Sequence, residues 1–367
     1  MKMSVQVKKW ADVLHIISGK NQKAVSDPAG QYPIYGSGGI MGRANAYLCE
    51  AGTTIVGRKG TINRPIFVNE RFWNVDTAFG ISPGQELLPQ YLFYFCLFFN
   101  FKTLDKSTTI PSLAKRDLLN IEMPVPPIPE QERMVARIEE LFSQLDASVN
   151  ELKTAKERLK VYRQAVLKEA FDKCEDFVPL STLGDLGRGK SKHRPRNDPA
   201  LFEGGKYPFI QTGDVKAASK HITNYSKMYG EFGLQQSKLW PKGTLCITIA
   251  ANIAETAFLG IDACFPDSVV GFTPQENVLP EYVRFFIESQ KQRLWAFAPA
   301  TAQKNINLDT LEKLIIPYCS LELQAQIVKD IDSRITICES IEQTIDTALQ
   351  QAEALRQSIL KKAFEEG

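Results

Sequence analysis

One long stretch in the first half of the chain spaces its apolar residues as a helix does when it pairs with another helix. The apolar positions recur at intervals of four and three: Ile138, Phe142, Leu145, Val149, Leu152, Leu159 and Val166. This heptad spacing is typical of a coiled-coil seam, and Lys156 and Arg163 interrupt it near its end. At about 1.5 Å per residue the helix would be roughly 60 Å long, more than a globular domain needs. The pattern therefore predicts a long helix with a partner helix.

The partner is a second stretch of the same chain, shifted by 193 residues. Arg163–Phe171 aligns without a gap with Arg356–Phe364, and Gln131 aligns with Gln324. The apolar seam is kept as Ile331, Ile335, Cys338, Ile345, Leu349, Ala352 and Ile359. Only Glu342, which aligns with Val149, turns polar. Two helices with one register predict an antiparallel coiled coil inside a duplicated chain.

The segments between the long helices repeat as well. Asp76–Pro83 aligns with Asp267–Pro274 at a shift of 191 residues. In each half, short β-branched runs between turn residues precede a helix that starts after Pro89 or Pro280, which predicts two α+β domains. We therefore expect an α+β fold with a pseudo-twofold arrangement. Its predicted segments are globular domain 1 (1–127), helix 1 (128–171), globular domain 2 (172–318) and helix 2 (319–367).

Composition and charge limit the kinds of partner. The chain is 44% hydrophobic and 23% charged, with a net charge of +2. Its start has no apolar signal segment, and its most apolar run, Tyr91–Phe101, is too short to cross a bilayer, so we expect no membrane contact. Seven cysteines without a C-x-x-C pair favour reduced thiols in the cytoplasm. Residues 1–127 have a net charge of +5 and residues 319–367 of −4. This balance disfavours a helical arm that grips phosphates.

The sequence resembles the specificity subunits of type I restriction–modification enzymes. The run PPIPEQER from Pro126 to Arg133, the heptads and Arg163–Leu167 carry the resemblance, which extends over the whole chain. The second junction keeps only Glu322 and Gln324 of that run. The resemblance implies a non-catalytic protein without a cofactor, whose two target-recognition domains read a bipartite, asymmetric double-stranded DNA target. It also implies that the helices set the spacing of the half-sites and hold two methyltransferase subunits and, in the full complex, restriction subunits that translocate DNA.

An enzymatic alternative is a stand-alone DNA-binding nuclease or NTPase with a helical arm. Gly184–Ser191 matches the phosphate-loop pattern G-x-x-x-x-G-K-S, but Pro195 and Pro199 lie where its helix should follow. Asp198 and Asp214 resemble part of a nuclease metal site, although Asp198 lies in an Asn-Asp-Pro turn signal. The three histidines share no ligand spacing, so we expect no metal site.

Basic and amide side chains in the predicted loops are the candidates for DNA contact. In the first half they are Lys20, Asn21, Lys23, Tyr35, Ser37, Arg43, Arg58, Lys59, Asn63, Arg64 and Lys106. In the second half they are Arg188, Lys190, Lys192, Arg194, Arg196, Lys304 and Asn305. Arginine can bind guanine O6 and N7, asparagine can bind adenine N6 and N7, and the basic run from Arg188 to Arg196 suits phosphates. The alternatives are a solvated basic loop and ion pairs within the domain, for example with Glu70.

Overall fold

Short strands and helices alternate twice along the chain, and each alternation ends in one long helix. The structure is a computed structural model that describes residues 6–297 and 305–365. Its strands are β1 (Gln6–Lys9), β2 (Leu14–Ser18), β3 (Tyr32–Gly36), β4 (Gly39–Ala44), β5 (Thr53–Gly57), β6 (Ile66–Val68), β7 (Trp73–Asn74), β8 (Ala78–Pro83), β9 (Glu122–Val125), β10 (Asp176–Pro179), β11 (Gly184–Arg188), β12 (Tyr207–Phe209), β13 (His221–Ile222), β14 (Lys227–Tyr229), β15 (Leu239–Trp240), β16 (Leu245–Thr248), β17 (Thr256–Leu259), β18 (Ala263–Cys264), β19 (Val269–Pro274) and β20 (Ile315–Tyr318). Its helices are α1 (Trp10–Val13), α2 (Pro89–Phe98), α3 (Lys115–Leu119), α4 (Ile128–Phe171), α5 (Thr212–Ala217), α6 (Glu231–Gln235), α7 (Pro280–Ser289), α8 (Lys291–Phe297), α9 (Leu308–Glu312) and α10 (Leu321–Glu365). The predicted α+β class and both long helices are confirmed.

The chain divides into two compact units, and each contains part of both long helices. Unit 1 comprises Met1–Thr154 and Ile345–Gly367, and unit 2 comprises Ala155–Thr344. The division into four segments at residues 127, 171 and 318 stays a prediction, because the units cut through α4 and α10 instead.

Unit 1 is built on two sheets and a ribbon. The larger sheet has the antiparallel order β2-β8-β5-β6, the smaller one the order β4-β3-β7, and β1 pairs with β9 as a two-stranded ribbon. Strand β5 is buried over its whole length, as its run TTIVG predicts for a strand covered on both faces. Helix α2 closes the core with Tyr91, Leu92 and Phe95, which pack in one cluster with Trp10.

Unit 2 repeats this plan. Its larger sheet has the order β11-β19-β16-β17-β13, its smaller one the order β14-β12-β18-β15, and β10 pairs with β20 as the ribbon. Strand β16 is buried throughout, and α7 closes the core with Tyr282, Val283 and Phe286. The shared order of β2-β8-β5 and β11-β19-β16 confirms that the chain is internally duplicated.

A buried glutamine near the start of α4 joins that helix to the globular part of unit 1. Gln131 is 0% exposed. Its amide oxygen accepts the N–H of Leu88 at 2.8 Å, and its nitrogen donates to the carbonyls of Glu86 and Pro126 at 2.7 and 2.8 Å. These three bonds use both N–H groups and the oxygen of the amide. The Gln131 side chain therefore links three backbone groups of unit 1 in one fixed orientation.

Unit 2 has the same joint at the start of α10. Gln324 is also 0% exposed. It accepts the N–H of Leu279 at 2.9 Å and donates to the carbonyls of Asn277 and Cys319 at 3.2 and 2.9 Å. The weakly matching second junction thus keeps the one side chain of the motif that makes this contact.

The end of each long helix completes the core of the unit in which it lies. Phe364, at the end of α10, contacts the rings of Tyr91, Phe95 and Phe98 on α2, with centroid distances of 5.3, 5.5 and 5.4 Å. Phe171, at the end of α4, contacts Tyr282 and Phe286 on α7 at 5.2 and 5.3 Å. Each α2-like helix is therefore covered by the long helix that ends the other repeat.

The two long helices pair antiparallel within each unit, as predicted. In unit 1, Ile138 and Phe142 of α4 form a buried cluster with Leu360 of α10, and Asp146 forms an ion pair with Arg356. Residue numbers that rise along α4 therefore meet numbers that fall along α10.

The same antiparallel register holds in unit 2, where the polar residues of the seam meet. Arg163 Nη2 lies 3.0 Å and Lys156 Nζ 3.7 Å from the carboxylate of Glu342. The side chains of all three are about 30% exposed, and the Arg163 contact is a charge pair without the angle of a hydrogen bond. The three polar residues that interrupt the two heptad patterns, Lys156, Arg163 and Glu342, therefore form one half-buried charge cluster.

Replacing either buried glutamine by leucine should lower the free energy of unfolding by about 2–4 kcal/mol. Gln131→Leu leaves one N–H and two carbonyls in unit 1 without their partner, and each unpaired buried group costs about 1–3 kcal/mol before relaxation. Gln324→Leu should do the same in unit 2. Urea unfolding followed by circular dichroism measures both. Gln144→Leu, on an exposed position of α4, is the control and should change stability by about 0.5 kcal/mol or less. Equal stability of the Gln131 and Gln144 variants would contradict a structural role for the joint.

Candidate nucleic-acid interface

In unit 1 several predicted DNA-contact loops meet at the turn of residues 74–78, between β7 and β8. Lys20 donates its backbone N–H to the carbonyl of Asn74 at 3.0 Å, and the indole of Trp73 donates to the carbonyl of Lys20 at 3.0 Å. Asn21 accepts the N–H of Lys23 at 2.9 Å, which closes the loop with Lys23 exposed. The Lys20–Lys23 loop is therefore fixed at its base, and its charges face solvent.

Arg58 and Lys59 lie on the other side of this turn. Their N–H groups donate to the carbonyl of Thr77 at 2.8 and 3.2 Å, and the Arg58 guanidinium lies 3.4 Å from the carbonyl of Asp76. The loop with Lys106 follows close by, because Lys59 forms a β-bridge with Ser112. Arg58 and Lys59 are exposed, so unit 1 brings two cationic loops, Lys20–Lys23 and Arg58–Lys59, to one place.

The tip of the β3–β4 hairpin borders the same place. A Cβ atom built on Gly57 would lie 3.1 Å from Cβ of Ser37, so the hairpin tip touches the loop that presents Arg58. Tyr35 lies in β3 beside Asn74 and packs edge-on against Phe72. Burial, reinforced by the nearby charge of Glu70, raises the pKa of Tyr35, which keeps its phenol neutral.

Four predicted residues of the first half are engaged elsewhere. Arg43 donates to the carbonyls of Gly30 and Gln31 at 2.6 and 2.7 Å, at the end of β4 away from the hairpin tip. The other three residues make contacts outside the turn of residues 74–78. Asn63 accepts the N–H of Phe101, Arg64 lines a cavity of about 490 Å³ with α2 and α10, and Lys106 forms an ion pair with Asp117 on α3. The structure does not bring these side chains together with Arg58 and Lys59.

In unit 2 the basic run follows the end of β11 and lies against residues 265–269. Arg188 donates Nε–H and Nη2–H to the backbone carbonyl of Asp267 at 2.9 and 2.7 Å. Arg196 Nη2 lies 2.8 Å from both carboxylate oxygens of Asp267. Gly189 has no room for a side chain, because its Cβ would lie 2.2 Å from the carbonyl oxygen of Phe265. Asp267 was not among the residues predicted to contact DNA, although the sequence repeat aligns it with Asp76.

The other members of the run differ in how they are held. Arg194 donates to the carbonyls of Ser191 and His193, whereas His193 Nε2 lies 2.7 Å from Asp198. This contact lowers the pKa of Asp198. Lys190 and Lys192 are exposed, and only their backbones are bonded: Ser237 donates to the carbonyl of Lys190, and the N–H of Lys192 donates to Gln236. Within the described residues their ammonium groups have no ion pair.

The remaining two predicted positions lie at the next loop. Asn305 is exposed and forms a β-bridge with Ala250, as Ser112 does with Lys59 in unit 1. Lys304 lies outside the described residues.

The enzymatic motifs adopt other structures. Gly184–Arg188, most of the phosphate-loop match, is strand β11, and residues 189–198 contain no helix. Asp198 accepts the N–H of Ala200, and Asp214 accepts the N–H of Gln211 as part of a capping box, so both carboxylates serve local turns. Across residues 6–297 and 305–365, no group of three His, Cys, Asp or Glu side chains is placed to hold a metal ion. None of the helices in those ranges is long and apolar enough to cross a membrane.

Comparison with protein families gives one match that covers most of the chain. The model of the type I restriction modification DNA specificity domain matches residues 3–158 and again residues 175–351. The chain is 24% identical over 343 residues to the EcoBI specificity subunit of Escherichia coli, which covers 84% of this chain and 72% of that one. It is 23% identical over 364 residues to a putative type I restriction enzyme specificity subunit of Haemophilus influenzae, covering 95% and 92%.

Solved structures show the same fold. A chain from a structure of a type I R-M system aligns with a TM-score of 0.79 at 18% identity, over 98% of this chain and 97% of that one. The HsdS subunit of Thermoanaerobacter tengcongensis aligns with a TM-score of 0.59 at 19% identity, over 98% and 96%.

Lys190→Ala should weaken binding to all DNA sequences alike. Its exposed ammonium group suits a phosphate contact, whose loss makes the slope of log K against log salt shallower by about 0.9. Fluorescence anisotropy with duplex DNA at several salt concentrations measures this slope. Lys160→Ala, on α4, removes the same charge outside the basic run from Arg188 to Arg196 and is the control. ATP hydrolysis by the pure chain that is lost in Lys190→Ala would instead support the NTPase alternative.

Proposed function

Because the chain belongs to the type I restriction modification DNA specificity domain family, we propose that it is the DNA-reading subunit of a type I restriction–modification complex. Each unit reads one half of a bipartite double-stranded target. The candidate readers are the exposed cationic loops around residues 74–78 in unit 1 and residues 265–269 in unit 2.

The observation that carries this proposal is one framework with different side chains at equivalent loop positions. Gly19 and Gly189 donate to equivalent carbonyls of β8 and β19, and the residues before them are Ser18 and Arg188. Leu113 and Ile306 likewise donate to the carbonyls of Arg58 and Ile249. Arg58 of unit 1 is thus equivalent to Ile249 of unit 2, and Arg188 of unit 2 is equivalent to Ser18 of unit 1. Two readers with different side chains recognise different half-sites, so the target is asymmetric.

The chain supplies recognition, and its partners supply the chemistry. The carboxylates that resembled a nuclease site are used in local turns, and the lysine of the phosphate-loop match follows a strand instead of opening a helix. A nuclease or NTPase acting alone therefore has little support in these residues. The seven cysteines are free thiols, which supports a cytoplasmic location.

Two equivalent surfaces support two copies of one methyltransferase partner. Val7 in ribbon β1–β9 pairs with Pro124, and Phe177 in ribbon β10–β20 pairs with the equivalent Pro317. Their exposures are nearly equal, at 63% and 62%. Large apolar side chains exposed at the same position of a duplicated framework suit two identical subunits. Restriction subunits would join this assembly in the full complex.

Exchanging residues 172–318 for the matching segment of a relative, such as the Haemophilus influenzae protein, should change one half of the target only. Residues 1–127 keep their own loops in this chimera, so the first half-site should be unchanged. Sequencing of duplexes selected from a random pool measures both halves. A chimera in which both halves change would contradict independent reading.

Lengthening both long helices by one heptad should widen the gap between the half-sites. A heptad adds about 10 Å of helix, which equals roughly three base pairs of B-DNA. The ion pair of Asp146 with Arg356 fixes the register of unit 1, so matched insertions follow Leu152 and Leu349. The same selection from random duplexes measures the gap. A single insertion after Leu152 is the control, and it should disrupt the pairing and the fold. An unchanged gap in the folded double variant would contradict a ruler function of the helices.

A further inference from the structure

Arg188 differs from the other cations of the candidate interface in how its guanidinium is held. Its Nε–H and one Nη2–H both donate to the carbonyl of Asp267, at 2.9 and 2.7 Å. These two hydrogens form one edge of the planar group. The other edge, formed by Nη1 and the second Nη2 hydrogen, has no further hydrogen bond within the described residues, and the residue is exposed. A fixed guanidinium therefore presents one pair of donors to solvent.

The support of this guanidinium is rigid on both sides. Gly189 donates to the carbonyl of Val269 at 2.9 Å, and it packs so closely on residues 265 and 266 that a side chain would not fit. On the other side, Arg196 Nη2 bridges both carboxylate oxygens of Asp267 at 2.8 Å. The carboxylate is thereby neutralised by Arg196, while the carbonyl of the same residue orients Arg188.

Unit 1 offers a natural comparison. Asp76 is equivalent to Asp267, and its carbonyl also receives an arginine, but Arg58 comes from a different loop and makes one bond of 3.4 Å. Within the described residues the carboxylate of Asp76 has no arginine partner. The turn of unit 1 therefore lacks the pair of hydrogen bonds that holds the Arg188 guanidinium in unit 2.

Resting on the proposed function, we propose that Arg188 reads a guanine in the second half-site and that the backbone carbonyl of Asp267 positions it. Two parallel N–H donors match O6 and N7 of guanine in the major groove. A phosphate contact needs charge more than orientation, whereas bidentate base reading needs a planar group whose direction is set in advance. The double bond to the carbonyl of Asp267 sets that direction.

Arg188→Lys separates the two roles, because lysine keeps the charge and loses the planar pair of donors. The full-length variants are incubated with a pool of random-sequence duplexes, and the bound duplexes are sequenced. Wild-type protein should enrich a bipartite sequence. Arg188→Lys should lose the preference for guanine at one position of one half-site by about 5- to 150-fold, with every other position kept. Arg196→Lys, the matched control, should keep that guanine.

Asp267→Ala tests which group of Asp267 positions Arg188. This variant keeps the backbone carbonyl that accepts both hydrogen bonds of Arg188 and removes only the carboxylate that binds Arg196, so it should keep the guanine preference. Melting temperatures equal to that of the wild type show that each variant is folded. A guanine preference that is lost in a folded Asp267→Ala variant would overturn positioning by the carbonyl.

Three results would overturn the inference alone: an affected half-site without guanine, a guanine preference that survives Arg188→Lys, or an Arg188→Ala variant that binds all sequences more weakly by one factor. The last two would identify a phosphate contact. Failure of the wild-type protein to enrich any sequence would overturn the proposed function as well, and it is recognised before any variant is compared.

Discussion

The arrangement depends on a buried side-chain amide at the point where each globular part passes into its long helix. Gln131 and Gln324 each bond three backbone groups and reach no solvent. The amide closes a short loop before the helix and ties its first turn to the loop that precedes α2 or α7. Because a buried polar group must find all its partners, this joint tolerates one geometry only. It fixes the direction in which each long helix leaves its globular part.

The charge cluster of Glu342 with Lys156 and Arg163 adds a different kind of constraint. Three half-buried charges contribute little net stability compared with apolar residues of the same size. An apolar seam alone, however, would allow the helices to slide by a heptad. Moving Glu342 by seven residues would leave it without these cations and leave the cations in an apolar seam. The cluster therefore opposes a shift in register, which is how polar residues act at the seam of other coiled coils.

Patterns that recur along the chain were readable from the sequence, and single contacts were not. The heptads predicted both long helices and their antiparallel pairing, and the repeats around Asp76 and Asp267 predicted the duplicated sheets. Residue type did not reveal that Arg43 and Asn63 bond backbone groups of their own domain. The orientation of Arg188 likewise depends on a carbonyl 79 residues away. Such contacts depend on tertiary geometry, which heptads and repeats do not specify.

The seating of Phe364 on α2 has a consequence for synthesis. The ribosome makes α2 early, with Tyr91, Phe95 and Phe98 in one short helix, whereas Phe364 is made only after the whole of unit 2. Until then the aromatic face of α2 lacks its cover, and exposed apolar surface on a nascent chain favours association with other chains. Unit 2 differs, because Phe171 has already been synthesised when α7 emerges. The two repeats, alike in architecture, therefore differ in the order in which their cores can close.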